Sequence, residues 1–182
     1  MNYERPSLIV VGGYPGSGKS SVARKLATDF RFPRLSSDAI NDAIRSSQAV
    51  QSCDMNTVSI AYDVAFALCS QFLKSSISTI LDLNMGWAFQ WQRLDEIRAN
   101  HPLAKCYIFL LHCPRDVCHA RIQQRHATDS TTDAVEVFQT GERFLKLWNF
   151  LDQLDRPDIL SINAARSFEA VYHDVKQRIE DA

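Results

Sequence analysis

One stretch leaves this chain little freedom in how it folds. The apolar run Leu8-Ile9-Val10-Val11 leads directly into GGYPGSGKSS, Gly12 to Ser21. Within it, Gly13-Tyr14-Pro15-Gly16-Ser17-Gly18-Lys19-Ser20 satisfies the pattern G-x-x-x-x-G-K-[ST] in full. The pattern carries physical meaning only between a buried strand and a helix, and both flanks are present. Residues 7–12 read as a strand covered on both faces, and Val22, Ala23, Leu26, Ala27 and Phe30 recur at helical spacing.

Glycines in such a loop let backbone N–H groups turn toward an anion, and the following helix adds the positive end of its dipole. Gly13 to Ser21 is therefore read as a seat for the phosphates of ATP. Lys19 is expected to bridge the β- and γ-phosphates, and the Ser20 hydroxyl to ligate Mg²⁺.

The rest of the chain alternates between the two periodicities. Strands are expected near 33–36, at 77–83, at 103–111 and at 158–162, with Leu103 to Leu111 the most apolar and hence central. Between them, helical spacing is carried by Ala39, Ile40, Ala43 and Ile44, by Val58 to Leu73, and by Trp87, Trp91, Leu94 and Ile97 up to His101-Pro102. Further helices are expected at Arg115 to Arg125, as one long helix from Phe138 to Leu154, and at Phe168 to Ile179. Continuous apolar strands alternating with helices predict an α/β fold of three layers, a five-stranded parallel sheet between helices. In such sheets ligands lie beyond the carboxyl ends of the strands, where Gly12, Asp38, Asp82 and the segment after Cys113 all fall.

Composition excludes several alternatives. At 182 residues the chain suits a single domain, 1–182. Twenty basic against 21 acidic residues, net −1, give no footprint for sequence-independent binding to nucleic acid or anionic lipid. No start-proximal segment has a signal-peptide layout and no run approaches about 18 apolar residues, so a soluble, cytoplasmic protein is expected. The five cysteines, Cys53, Cys69, Cys106, Cys113 and Cys118, form no C-x-x-C pair and read as reduced thiols. His112, Cys113 and His119 lack a fourth ligand for zinc. No N-K-x-D guanine motif occurs, which argues against a GTPase switch.

GGYPGSGKSS, LSSDAI at 35–40, ILDLN at 80–84 and LLHCPRDVCHARIQQR at 110–125 together resemble the small P-loop kinases, most closely the polynucleotide-kinase-like, chloramphenicol-phosphotransferase-like and zeta-toxin-like group. The resemblance spans most of the chain and implies a three-layer P-loop kinase fold with a small lid, about 115–135. It implies that Asp38 accepts the proton of the attacking hydroxyl; the residue types equally allow Asp38 or Ser37 to cap the next helix. Asp82 would hold Mg²⁺ waters or orient the loop. Arg121 and Arg125, four apart on one helix face, would close over the phosphates, the same spacing equally allowing a solvated basic face, and Asn84 would lie near substrate. The group commonly has arginine three residues after its Asp; this chain has Asn41, with Arg45 one turn further.

Trp87, Phe89 and Trp91 either line an acceptor pocket or fill core, and Asn163-Ala164-Ala165 is a candidate base-side loop. The expected activity is ATP- and Mg²⁺-dependent transfer of phosphate to a hydroxyl of a small molecule. Alternatives are a polynucleotide 5′-hydroxyl, a nucleotide sugar, or a nucleotide-binding regulator acting through a partner. A polynucleotide is disfavoured because the visible basic cluster, Arg115, Arg121 and Arg125, would already be committed to ATP.

Overall fold

The computed structural model describes residues 5–48, 56–129 and 135–181. Its sheet contains β1 (Ser7–Gly13), β2 (Arg34–Ser36), β3 (Thr79–Asp82), β4 (Lys105–His112) and β5 (Ile159–Asn163). The strands are parallel throughout, in the order β2-β3-β1-β4-β5. The helices are α1 (Lys19–Phe30), α2 (Ser37–Ser46), α3 (Thr57–Lys74), α4 (Ala88–Asn100), α5 (Arg115–Thr128), α6 (Val135–Thr140), α7 (Glu142–Asp152) and α8 (Phe168–Glu180).

The strand period of two divides the core into two layers. On one face Ile9 and Val11 pack with Val22 and Leu26 of α1, Leu147 and Trp148 of α7, and Val171 and Val175 of α8. On the other, Leu8 and Val10 pack with Phe66 and Cys69 of α3 and Trp91 and Leu94 of α4. Both faces of the sheet are thus covered, as its continuously apolar strands require. Among the described residues, no helix is long and apolar enough to cross a membrane.

Two expectations are corrected. Leu103 is 68% exposed and lies before β4, because residues 102–104 turn the chain after α4. The long helix through Leu154 is broken: Gly141 adopts extended backbone at the start of α7, and a Cβ there would lie 2.4 Å from the Val137 carbonyl. The helix expected from Ala39, Ile40, Ala43 and Ile44 forms as α2, with Ala39 and Ala43 exposed because it packs chiefly on α3 at the sheet edge. Phe168 is exposed at the first turn of α8. Cys53, residues 130–133 and the Phe138 side chain lie outside the described residues; Cys69, Cys113 and Cys118 are buried free thiols and Cys106 is half-buried.

Phe109, wholly buried in the middle of β4, supplies a test of this register. Phe109→Ala should lower unfolding stability by roughly 3–5 kcal/mol, whereas Leu103→Ala should change it by no more than about 0.5 kcal/mol. Urea unfolding midpoints of the two variants read the difference.

Candidate functional site

The glycine loop leaves β1 and tightens at once, with the Ser17 N–H donating to the Tyr14 carbonyl at 3.1 Å. Helix α1 then starts from Gly18, which sits in the left-handed region (φ 91°) and offers no side-chain cap. Among the described residues, the N–H groups of Gly16, Gly18, Lys19 and Ser20 therefore have no acceptor, and the buried Ser17 hydroxyl has no partner either. Gly16 is required twice over: its φ is +81°, and a Cβ would stand 2.5 Å from the Cys118 carbonyl of α5. This cradle of unsatisfied donors at a helix N-terminus has the chemistry that phosphate oxygens demand. Pro15 is buried beneath the loop, Ser21 is exposed with its N–H on the Gly18 carbonyl, and half-exposed Lys19 pairs with no described residue.

Sheet register sets Asp82 beside the loop, since Asp82 is level with Val11 of β1 on one side and Ser36 of β2 on the other. The Ser20 hydroxyl donates to Asp82 Oδ1 at 3.1 Å. Asp82 is only 2% exposed, and its Oδ2 accepts no hydrogen bond, the Arg34 guanidinium being 3.8 Å away. Burial pushes the carboxyl above its ordinary range, opposed by the positive charges of Lys19 and then Arg34. A hydroxyl, a carboxylate and one open oxygen form a hard donor set that fits Mg²⁺ shared with phosphate. Among the described residues, no group of three His, Cys, Asp or Glu side chains could hold a metal without such help.

Asp38 is exposed at the start of α2, two residues beyond the carboxyl end of β2. The cap of α2 is Ser36, whose hydroxyl accepts from the Ala39 N–H at 3.4 Å; the expectation that Asp38 or Ser37 caps this helix is corrected. The Asp38 carboxylate makes no hydrogen bond or ion pair among the described residues. Asn41 keeps a buried side-chain oxygen without a partner, and Arg45 is exposed.

The Tyr14 side chain reaches across to α7. It stacks on Trp148 of α7 (centroids 4.2 Å, planes 16° apart), and its hydroxyl donates to Asp152 Oδ1 at 2.5 Å. Burial and the adjoining Asp152 carboxylate hold the phenol above its usual range. Arg115 closes the arrangement, 2.6 Å from Asp152 Oδ2 and 5.2 Å above the Trp148 ring.

Arg115 is thus tied to α7 and does not form a three-arginine cluster with Arg121 and Arg125. Arg121 donates to the carbonyls of Ala164 (2.9 Å) and Arg166 (3.5 Å), pinning the loop after β5 to α5. Arg125 is exposed, with no side-chain partner among the described residues.

Sequence reasoning named Trp87 and Phe89 for an acceptor pocket and Asn84 near it, but missed the residues that join them. Tyr62 of α3 is 4% exposed, and its hydroxyl accepts from Asn84 Nδ2 at 2.8 Å; Asn84 Oδ1 in turn accepts from the Gly86 N–H at 3.0 Å. Tyr62 opens into a pocket of ≈ 350 Å³ lined also by Asn56, Val58, Trp87, Phe89 and Arg143. Phe89 stands edge-on to Tyr62 at 5.5 Å. Trp91, by contrast, is core, its indole N–H on the Met85 carbonyl. No local signal marks Tyr62 or Arg143, because the first turns of α3, α4 and α7 meet only in the fold.

A glycine loop of open donors, a buried carboxylate at the end of the neighbouring strand and a five-stranded parallel sheet define the P-loop kinase class of nucleotide-binding fold. The chain belongs to the AAA_33 family of AAA domains, whose match covers residues 8–145, a broader assignment than the group its motifs resemble. It is 22% identical to the uridylate kinase of Saccharomyces cerevisiae, the match covering 98% of this chain and 93% of that protein. Its fold is shared with a protein of Chloroflexus aurantiacus proposed to be a kinase (20% identity, 98% of both chains, TM-score 0.69). It is shared also with a gluconokinase of Sinorhizobium meliloti (18% identity, 97% and 95% covered, TM-score 0.60).

Tyr14→Phe keeps the stack on Trp148 and deletes one bond to a half-exposed carboxylate. Unfolding stability should fall by about 1 kcal/mol, and Tyr14→Ala, which also empties the stack, should cost clearly more. Thermal unfolding of both variants measures the gap.

Proposed function

We propose that the chain is an ATP- and Mg²⁺-dependent phosphotransferase that moves the γ-phosphoryl group onto a hydroxyl of a small-molecule acceptor in the cytoplasm. The observation that carries this reading is Asp38. Because Ser36 already caps α2, the Asp38 carboxylate is left unengaged at the carboxyl end of β2, on the side of Asp82 and the glycine loop. A nucleotide seat alone has no use for such a group; a hydroxyl acceptor needs a base.

In this mechanism the open N–H groups of Gly16, Gly18, Lys19 and Ser20 and the Ser17 hydroxyl bind the phosphate chain, and Lys19 neutralises charge between its last two groups. Ser20 and Asp82 would hold Mg²⁺, which withdraws charge from the phosphates when bound. Asp38 takes the hydroxyl proton as the acceptor oxygen bonds to the γ-phosphorus; the β–γ bond breaks, and ADP leaves with the bridging oxygen. Arg125, on α5, is free to close over the transferred group. Arg121, now on the Ala164 and Arg166 carbonyls, joins it on exchanging those partners, in a lid spanning about 115–135 of a single domain, 1–182.

The name of the yeast relative puts a nucleotide phosphate in the acceptor position. A phosphate oxygen is already largely ionised near neutral pH, requires no base and is repelled by an unpaired carboxylate, so Asp38 favours a hydroxyl. A polynucleotide is disfavoured because Arg115 is committed to Asp152 and the chain carries no surplus of positive charge.

Asp38→Asn should reduce turnover by about 10²–10⁴-fold with nucleotide affinity nearly unchanged. Lys19→Ala should abolish turnover with the fold intact, since Lys19 pairs with no described residue. Both are read by coupled ADP release across a panel of alcohols, sugars and nucleosides, with nucleotide binding measured separately. Turnover within a few-fold of the parent in Asp38→Asn would return the residue to a structural role.

A further inference from the structure

The arginines that line the described pockets are alike in one respect, with a single exception. Arg98 is bonded to Asp158, Arg93 lies against Asp63 and Glu96, and Arg34 faces Asp82. Arg143, on the first turn of α7, has no hydrogen bond or ion pair among the described residues, although it lines the pocket of Tyr62, Trp87 and Phe89. Its helix is not free to swing: Leu147 and Trp148, one turn further, are each 1% exposed, and Tyr14 and Arg115 fasten its far end at Asp152. A guanidinium carried on a fixed helix, unpaired and backed by aromatic walls, has the planar fork that matches a carboxylate or phosphate.

The position of Asp38 gives this cation a direction. Tyr62 is coupled to both: its ring lines the Arg143 pocket, its helix α3 packs against α2, which carries Asp38, and while burial raises its phenol above the usual range, the positive charge of Arg143 opposes that shift and the negative charge of Asp38 adds to it. Both charges therefore act on the surroundings of Tyr62. An anionic group is attracted at Arg143 and repelled near Asp38, while Trp87 and Phe89 offer apolar faces beside Tyr62.

We infer that the acceptor is an anionic hydroxyl compound, its carboxylate or phosphate seated on Arg143, its body against Phe89 and Trp87, and its reacting hydroxyl turned toward Asp38. This rests on the phosphotransferase reading for the role of Asp38, and adds the acceptor's charge and orientation. It makes Arg143 a specificity-determining residue.

The test is calorimetric titration of phenyl phosphate, benzoate and neutral benzyl alcohol into the full chain, with Mg²⁺ and a non-hydrolysable ATP analogue in saturating excess to occupy the glycine loop. The parent and Arg143→Ala are compared. Arg143 is exposed and bonds to no described residue, so the variant keeps its fold; circular dichroism checks this. The expected result is that both anions bind the parent, Arg143→Ala weakens them by about tenfold or more, Arg143→Lys restores part of the loss, and benzyl alcohol is indifferent to all three. The tighter anion identifies phosphate or carboxylate as the natural group. Equal anion affinity in parent and Arg143→Ala, or no anion binding to the parent, overturns the inference. Failure of the phosphotransferase reading looks different: no phosphate reaches any acceptor in the turnover panel, while the Arg143-dependent binding persists.

Discussion

The glycine loop must keep a row of backbone N–H groups without protein partners, and the surrounding structure answers to that requirement. Unsatisfied donors favour collapse of the loop onto its own carbonyls. Three contacts resist it: the Cys118 carbonyl packed against Gly16, the Ser20 hydroxyl on Asp82, and the Tyr14 ring stacked on Trp148. Each draws on a different part of the chain, so the loop is held from α5, from β3 and from α7 at once. The parallel register makes this possible by bringing Val11, Asp82 and Ser36 to one level.

What could be read from the sequence follows the range of the interactions. The loop, the sheet and the places of Asp38 and Asp82 at strand ends are encoded in contiguous stretches, where apolar runs and glycine spacing report local backbone geometry directly. Tyr62 and Arg143 are not, because they lie 81 positions apart and each reads locally as an ordinary helix residue, Tyr62 on an apolar face and Arg143 on a polar one. Arg115 shows the same limit from the other side. Its sequence neighbours suggest a shared anion with Arg121 and Arg125, but the partner that claims it, Asp152, lies on α7.

Capping was another local ambiguity that only coordinates resolve. Ser36, Ser37 and Asp38 are all competent N-caps, and the choice among three adjacent side chains turns on where β2 stops. With Ser36 still paired to β3 and already bonded to the Ala39 N–H, the cap is supplied by the least conspicuous of the three and the carboxylate is spared. Gly141 is comparable: a helical pattern runs through it, yet the Val137 carbonyl leaves no room for continuation with a side chain.

The pocket walls have a consequence for how such a molecule diversifies. Phe89 and Arg143 are exposed in the first turns of α4 and α7 and Trp87, just before α4, is only partly buried, whereas Trp91, Leu94, Leu147 and Trp148, about one turn on, are buried in the packed layers. A change of side chain at Phe89 or Arg143 reshapes the cleft and leaves the layers below, and with them the glycine loop, undisturbed. Cleft wall and scaffold are therefore partitioned within single helices, one turn apart, so that the lining can change by a few surface substitutions on an unchanged frame.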